Sequence, residues 1–87
     1  MSVEAAIREK LSVLQPQSLE LSDESALHAG HVGAQGGGGH YRLRIVSPLF
    51  DGQSGVARHR MVYAALGPLM HREIHALALQ AKAPGEQ

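Results

Sequence analysis

The chain has 87 residues, 44% of them hydrophobic, eight basic and eight acidic side chains for a net charge of zero, and no cysteine. That bounds it to one small domain burying roughly 60–65% of its unfolded surface. It also excludes disulfides, thiol catalysis and any metal site built from its own thiolates. The balanced charge does not suit a strong nucleic-acid binder, which usually carries a clearly basic domain.

Val3, Ile7, Leu11 and Leu14 recur at helical spacing, with Glu4, Arg8, Glu9 and Lys10 on the other faces. Ser2 is placed to cap this helix, Glu4 suits its first turn and Pro16 ends it. Ser18 to Ser22 reads as a short strand, Leu19 and Leu21 inward and Glu20 outward. Asp23-Glu24-Ser25 then opens a long loop with glycines at 30, 33 and 36 to 39. Tyr41, Leu43 and Ile45 alternate with Arg42 and Arg44, the pattern of a half-exposed strand, up to Ser47 and Pro48.

Asp51-Gly52-Gln53-Ser54 is turn chemistry, with Ser54 as the cap of a second helix. On that helix Val56, His59, Val62, Tyr63 and Leu66 are expected to share the buried side, with Arg58 and Arg60 flanking it. Gly67-Pro68 breaks the helix and allows a short further one over about 69–73. Ile74 to Ala81 has the length and apolarity of a strand, and Pro84 and Gly85 leave a loose tail. The order is αββααβ. The first two strands should pair antiparallel, in a three-stranded mixed sheet with helices on one face. That is a two-layer α+β sandwich over a single domain, 1–87. With Phe50, Tyr41 and Tyr63 as the only aromatics, aliphatic side chains must do most of the packing.

The opening MSVEAAIREKL lacks the basic-then-apolar pattern of a signal peptide, and no apolar run approaches the ~20 residues of a membrane span. The expectation is a cytoplasmic protein without a membrane partner. Charge is uneven: residues 1–39 sum to −3 and residues 40–75 to +3. Arg42, Arg44, Arg58 and Arg60 lie in the positive stretch and are the candidate nucleic-acid contacts, although helix and strand arginines are more often a solvated face.

Six histidines stand at 28, 31, 40, 59, 71 and 75. Imidazole is the commonest metal ligand and titrates near neutral pH. His28 and His31 form an HxxH on the glycine-rich loop, although from spacing alone two solvated loop histidines are the commoner outcome. His75 opens an apolar strand right after a short helix, where it can project from the sheet's end, although locally a hydrogen-bonded structural histidine is the commoner outcome. His59 lies on the expected apolar side of its helix, so a structural histidine satisfied by hydrogen bonding is the reading there. The glycine run 36–39 leads into a strand and lacks the helix N-terminus and Lys-Ser/Thr of a phosphate loop. Gly52-Gln53-Ser54-Gly55 spells a GxxG without a basic residue inside, a weak signal. No serine stands beside an evident histidine base and no carboxylate pair is placed for acid–base work, so no catalytic residue is assigned.

Taken together, Phe50-Asp51-Gly52, Arg58-His59-Arg60-Met61-Val62-Tyr63 and Ile74-His75-Ala76-Leu77 resemble the BolA family signature in order and spacing. Asp23-Glu24-Ser25 followed by His28 resembles the family's loop entry. His40-Tyr41 and Val46-Ser47 resemble the entry and exit of its second strand. The resemblance runs over nearly the whole chain, departing in the expanded run 36–39 and in a tail short of the final helix of many members.

It implies a fold similar to class II KH domains and a monothiol glutaredoxin as partner. It further implies a [2Fe-2S] cluster shared with that partner and glutathione, with His75 and His28 as ligands and His31 as the rival loop ligand. The expected function is a cluster-sharing adaptor in iron–sulfur and iron homeostasis, a monomer or weak homodimer when apo. The alternative is a DNA-binding transcriptional regulator of morphology and stress response. A plain zinc or copper site from His28, His31 and His40 ranks third.

Overall fold

A computed structural model describes residues 2–24 and 39–86. Helix α1 (Val3–Leu11) starts as expected, with Ser2 Oγ accepting from Ala5 N at 3.0 Å. It stops earlier than its apolar spacing suggests. Ser12 Oγ donates to Glu9 O at 2.6 Å, the chain tightens into a 3-10 turn over Ser12–Leu14, and Gln15 turns left-handed at φ 52°. Pro16 therefore follows a helix that has already ended.

Strand β1 (Ser18–Asp23) pairs antiparallel with β2 (Gly39–Val46), Leu19 opposite Ile45 and Leu21 opposite Leu43. β2 pairs parallel with β3 (Ile74–Lys82), Leu43 opposite Leu79 and Ile45 opposite Ala81. The strand order is β1-β2-β3. Parallel neighbours need a long crossover. Here it comprises a 3-10 turn over Pro48–Phe50, helix α2 (Gly55–Leu66) and a 3-10 turn over Gly67–His71. The α+β architecture with a three-stranded mixed sheet, expected from the sequence, is the architecture observed.

Two local expectations are corrected. The short helix set at about 69–73 is a 3-10 turn beginning at Gly67, because Gly67 adopts φ 56° and Pro68 follows at once. On α2 the buried stripe is also rotated. Val62 and Leu66 are fully buried with Met61 and Ala65 against the core, whereas Val56 is 63% and Tyr63 41% exposed. Positions 58, 61, 62, 65 and 66 form the stripe, which carries Arg58 toward the end of the sheet. Side-chain hydrophobicity favoured Tyr63, but it is Ala65 that packs against the core while Tyr63 stays exposed.

The core combines Ile7, Leu11 and Leu14 with Tyr41, Leu43, Ile45, Phe50, Val62, Leu66, Ile74, Ala81 and Ala83. Both helices pack on the sheet face that carries the odd-numbered β2 residues. The opposite face, with Arg42 and Arg44 on β2 and Ala76, Ala78 and Gln80 on β3, has no covering layer among the described residues. Among those residues no helix is long and apolar enough to cross a membrane.

Candidate functional site

The two ends of β3 are built differently. At its end, Ser47 N donates to Lys82 O at 3.0 Å, and the fully buried Ser47 Oγ donates to Leu14 O at 2.5 Å while accepting from Leu49 N. The Arg58 guanidinium binds the backbone oxygens of Gln53 (2.9 Å) and Ala81 (3.2 Å) and both Glu86 carboxylate oxygens (2.5 and 2.9 Å). Glu86 Oε1 also accepts from Ala83 N at 3.0 Å. The Arg58 hydrogen bonds, reinforced by that backbone donor, hold the Glu86 carboxyl at about 2.

At the start of β3, Gly39 N donates to Glu73 O at 2.7 Å, and the parallel register pairs Gly39 with Ile74 and then His40 with Ala76. His75 is the extra residue between those pairs. A bulge of this kind bends the strand and re-aims the side chain it carries. Ile74 is buried at 1% exposure, and the exposed His75 follows it on the other side. The His75 ring lies beside that of half-buried His40, their centroids 5.1 Å apart and their planes tilted by 45°. Glu24 N donates to His40 O at 2.7 Å, which brings the end of β1 to the same corner. Glu73, two residues before His75, keeps one carboxylate oxygen shielded from solvent without a hydrogen-bond partner among the described residues.

Of the residues singled out from the sequence, His75 is thus placed at the rim of the sheet as an exposed imidazole. His28 and His31 lie outside the described residues, which resume on either side at Glu24 and Gly39. No group of three metal-ligating side chains converges among the described residues. His59 is half-buried on α2, its ring edge-on to Tyr63 at 6.3 Å and outside the core.

The four arginines do not make one patch. Arg42 and Arg44 lie on the uncovered sheet face, where Arg42 pairs with Glu24 at 3.0 Å. Arg58 and Arg60 belong to the helix layer on the other side, and the Arg58 guanidinium is occupied by the end of β3. The Gly52–Gly55 stretch serves as a turn, with Gly52 at φ 77° and Ser54 capping α2 through Ala57 N. Sequence reasoning treated His40 and His75 separately. Their meeting depends on the bulge in the β2–β3 register, for which no local signal exists. Glu86 was likewise missed as the partner of Arg58, across 28 positions of chain.

A family model described as BolA-like protein matches residues 11–86. BolA-like protein 1 of Mus musculus is 46% identical over 85 residues, covering 97% of this chain and 60% of that protein. The chain thus spans about 60% of the length of the mammalian relatives it matches. The protein of Escherichia coli (strain K12) named DNA-binding transcriptional regulator BolA is 38% identical over 80 residues, 91% of this chain and 73% of that protein. The solved structure of BolA1 from Arabidopsis thaliana superposes with a TM-score of 0.83 at 34% identity, over 100% of this chain and 98% of that one.

Proposed function

The chain belongs to the BolA-like protein family, and from that premise we propose that it is a non-enzymatic, cytoplasmic adaptor that shares a [2Fe-2S] cluster with a monothiol glutaredoxin. The observation that carries this reading is His75, an exposed imidazole lifted from the β2–β3 ladder by a bulge at the sheet's rim. A [2Fe-2S] centre takes four protein-type ligands, mostly thiolates, and tolerates two imidazoles on one iron. The chain has imidazoles and no thiolate, so the thiolates would come from the partner's cysteine and from glutathione. The cluster then belongs to an interface.

His28 is the second ligand proposed, with His31 as its rival. Covalent reach supports the pairing. His28 is four residues from Glu24, a span of at most ~14 Å, and Glu24 N is hydrogen-bonded to His40 O beside His75.

The test is co-expression with a monothiol glutaredoxin and glutathione, with visible absorption and circular dichroism recorded on the purified complex. His75→Ala should abolish the mixed-cluster spectrum and His28→Ala should weaken it. Unchanged spectrum and lifetime in both variants would refute the ligand assignment.

A second reading, DNA binding, draws on the name of the Escherichia coli relative and on Arg42 and Arg44 side by side on the uncovered sheet face. Each phosphate neutralised adds about −0.9 to the slope of log K against log salt. Two arginines would therefore give a slope of roughly −2. Tight, sequence-selective binding by the apo chain at physiological salt would make this reading primary.

A further inference from the structure

The sheet has two edges, and the chain guards them differently. Along β3 the backbone groups of every second residue face β2, and those of the residues between face outward. Lys82 O accepts from Ser47 N, so the unbroken register from His40↔Ala76 to Val46↔Lys82 turns Ala76, Ala78, Gln80 and Lys82 toward β2. Leu77, Leu79, Ala81 and Ala83 present theirs outward. The last two are covered from within the chain, where Arg58 donates to Ala81 O and Glu86 Oε1 accepts from Ala83 N. The outward groups of Leu77 and Leu79 hydrogen-bond to nothing among the described residues. Between Ala76 and Ala81 the strand carries no charge, proline or bulge, and an edge in that state is a template for another strand. We propose that this edge is a self-association surface, which takes β3 of a second copy of the chain antiparallel about a two-fold axis at Ala78.

Three features select a second copy as the occupant. About that axis the outward N–H and C=O of Leu77 meet those of Leu79 in the other copy, so the free edge is its own complement. The Leu77 and Leu79 side chains, partly buried against the core, then pack on their counterparts and lose the apolar surface that a lone chain leaves at its rim. Charge fits as well. Antiparallel pairing sets Lys82, which has no ion pair among the described residues, opposite Ile74 of the other copy and next to Glu73. One carboxylate oxygen of Glu73 lacks a hydrogen-bond partner among the described residues.

The edge formed by β1 shows the opposite design. The same arrangement there would put the axis at Glu20 and set two carboxylates face to face, which destabilises a strand pair. A contact between two single strands lies at the small end of interface sizes, so the dimer is weak.

The experiment is sedimentation equilibrium of the full apo chain at up to about 1 mM, where a monomer–dimer equilibrium is expected. Ala78 is exposed, and across the axis the two Ala78 Cα atoms would stand about 4.5 Å apart. Ala78→Glu and Ala78→Lys should therefore each weaken dimerisation about tenfold or more, and an equimolar mixture of the two variants should restore it. A parent chain that stays monomeric throughout, single variants that dimerise as the parent does, or a mixture no better than its components would overturn the proposal.

Hydrogen exchange on the parent chain needs no substitution. The Leu77 and Leu79 amides should gain protection as chain concentration rises, while those of Ala78 and Gln80, bonded to β2, stay protected at every concentration. Exchange at Leu77 and Leu79 that ignores concentration would refute the edge as the contact. Neither measurement contains iron, glutathione or glutaredoxin, so failure here leaves the cluster reading standing, and failure of cluster assembly leaves this surface standing.

Discussion

Where β3 ends, Ser47, Arg58 and Glu86 draw the β2 exit, the α2 helix and the tail onto Ala81, Lys82 and Ala83. Where it begins, two imidazoles are set side by side, and one Glu73 carboxylate oxygen has no hydrogen-bond partner among the described residues. The closed end pairs Arg58 with Glu86 and has its serine fully buried. The open end keeps one imidazole, that of His75, exposed to solvent. In a domain this small, stability is concentrated where contacts are dense, and binding groups belong where local structure is least committed. β3 serves both purposes because one strand reaches from one region to the other.

The comparison is tested most severely at Phe50, a fully buried aromatic in the turn that follows β2 at the closed end. Phe50→Ala should cost about 3–5 kcal/mol in denaturant unfolding. A cost under about 1 kcal/mol would mean that the closed end does not hold the fold. Ser47→Ala removes the hydroxyl that serves Leu14 O and Leu49 N. It should cost about 1–3 kcal/mol, since a buried carbonyl loses its donor. His59→Ala removes a half-buried ring edge-on to Tyr63 and should cost about 0.5–1.5 kcal/mol.

The Arg58–Glu86 pair sharpens the same contrast by pH. Glu86 is held at about 2, below its ordinary 4.5, so the pair's contribution is complete above 4.5, fades as pH falls and is gone below about 2. Glu86→Gln should therefore lower the melting temperature at neutral pH and flatten the acid side of the stability profile, with parent and variant converging near pH 2. Parallel profiles down to that pH would show that the pair does not anchor the tail.

The smallest effect on stability is expected at the open end. His75→Ala, an exposed substitution on a bulge, should change stability by no more than about 0.5 kcal/mol, although the cluster spectrum should disappear. A large loss of stability there would place His75 among the anchoring residues and remove the contrast.

The strands were legible because alternation at Leu19-Glu20-Leu21 and Tyr41-Arg42-Leu43-Arg44-Ile45 assigns a face to each residue whatever the partner strand is. Start signals were equally local, and Ser2 and Ser54 cap the helices they were expected to cap. The α2 face was misread because periodicity admits two neighbouring stripes. Choosing between them depends on which stripe the rest of the core meets, and that is settled by contacts far along the chain.

Composition and motif order, from the sequence by itself, determined a cysteine-free chain with an α+β fold of the BolA-like family and raised His75 as a side chain able to project from the sheet. These conclusions rest on local spacing and on the chain's own chemistry. Only the tertiary structure decided that His40 stands beside His75, that Arg58 is spent on Glu86 and the end of β3, and that Arg42 and Arg44 lie across the sheet from α2. Each of these depends on strand register or on contacts between residues far apart in the chain. A shift of one residue in a strand turns every side chain to the opposite face, so a histidine's partner is settled only when the strands have paired.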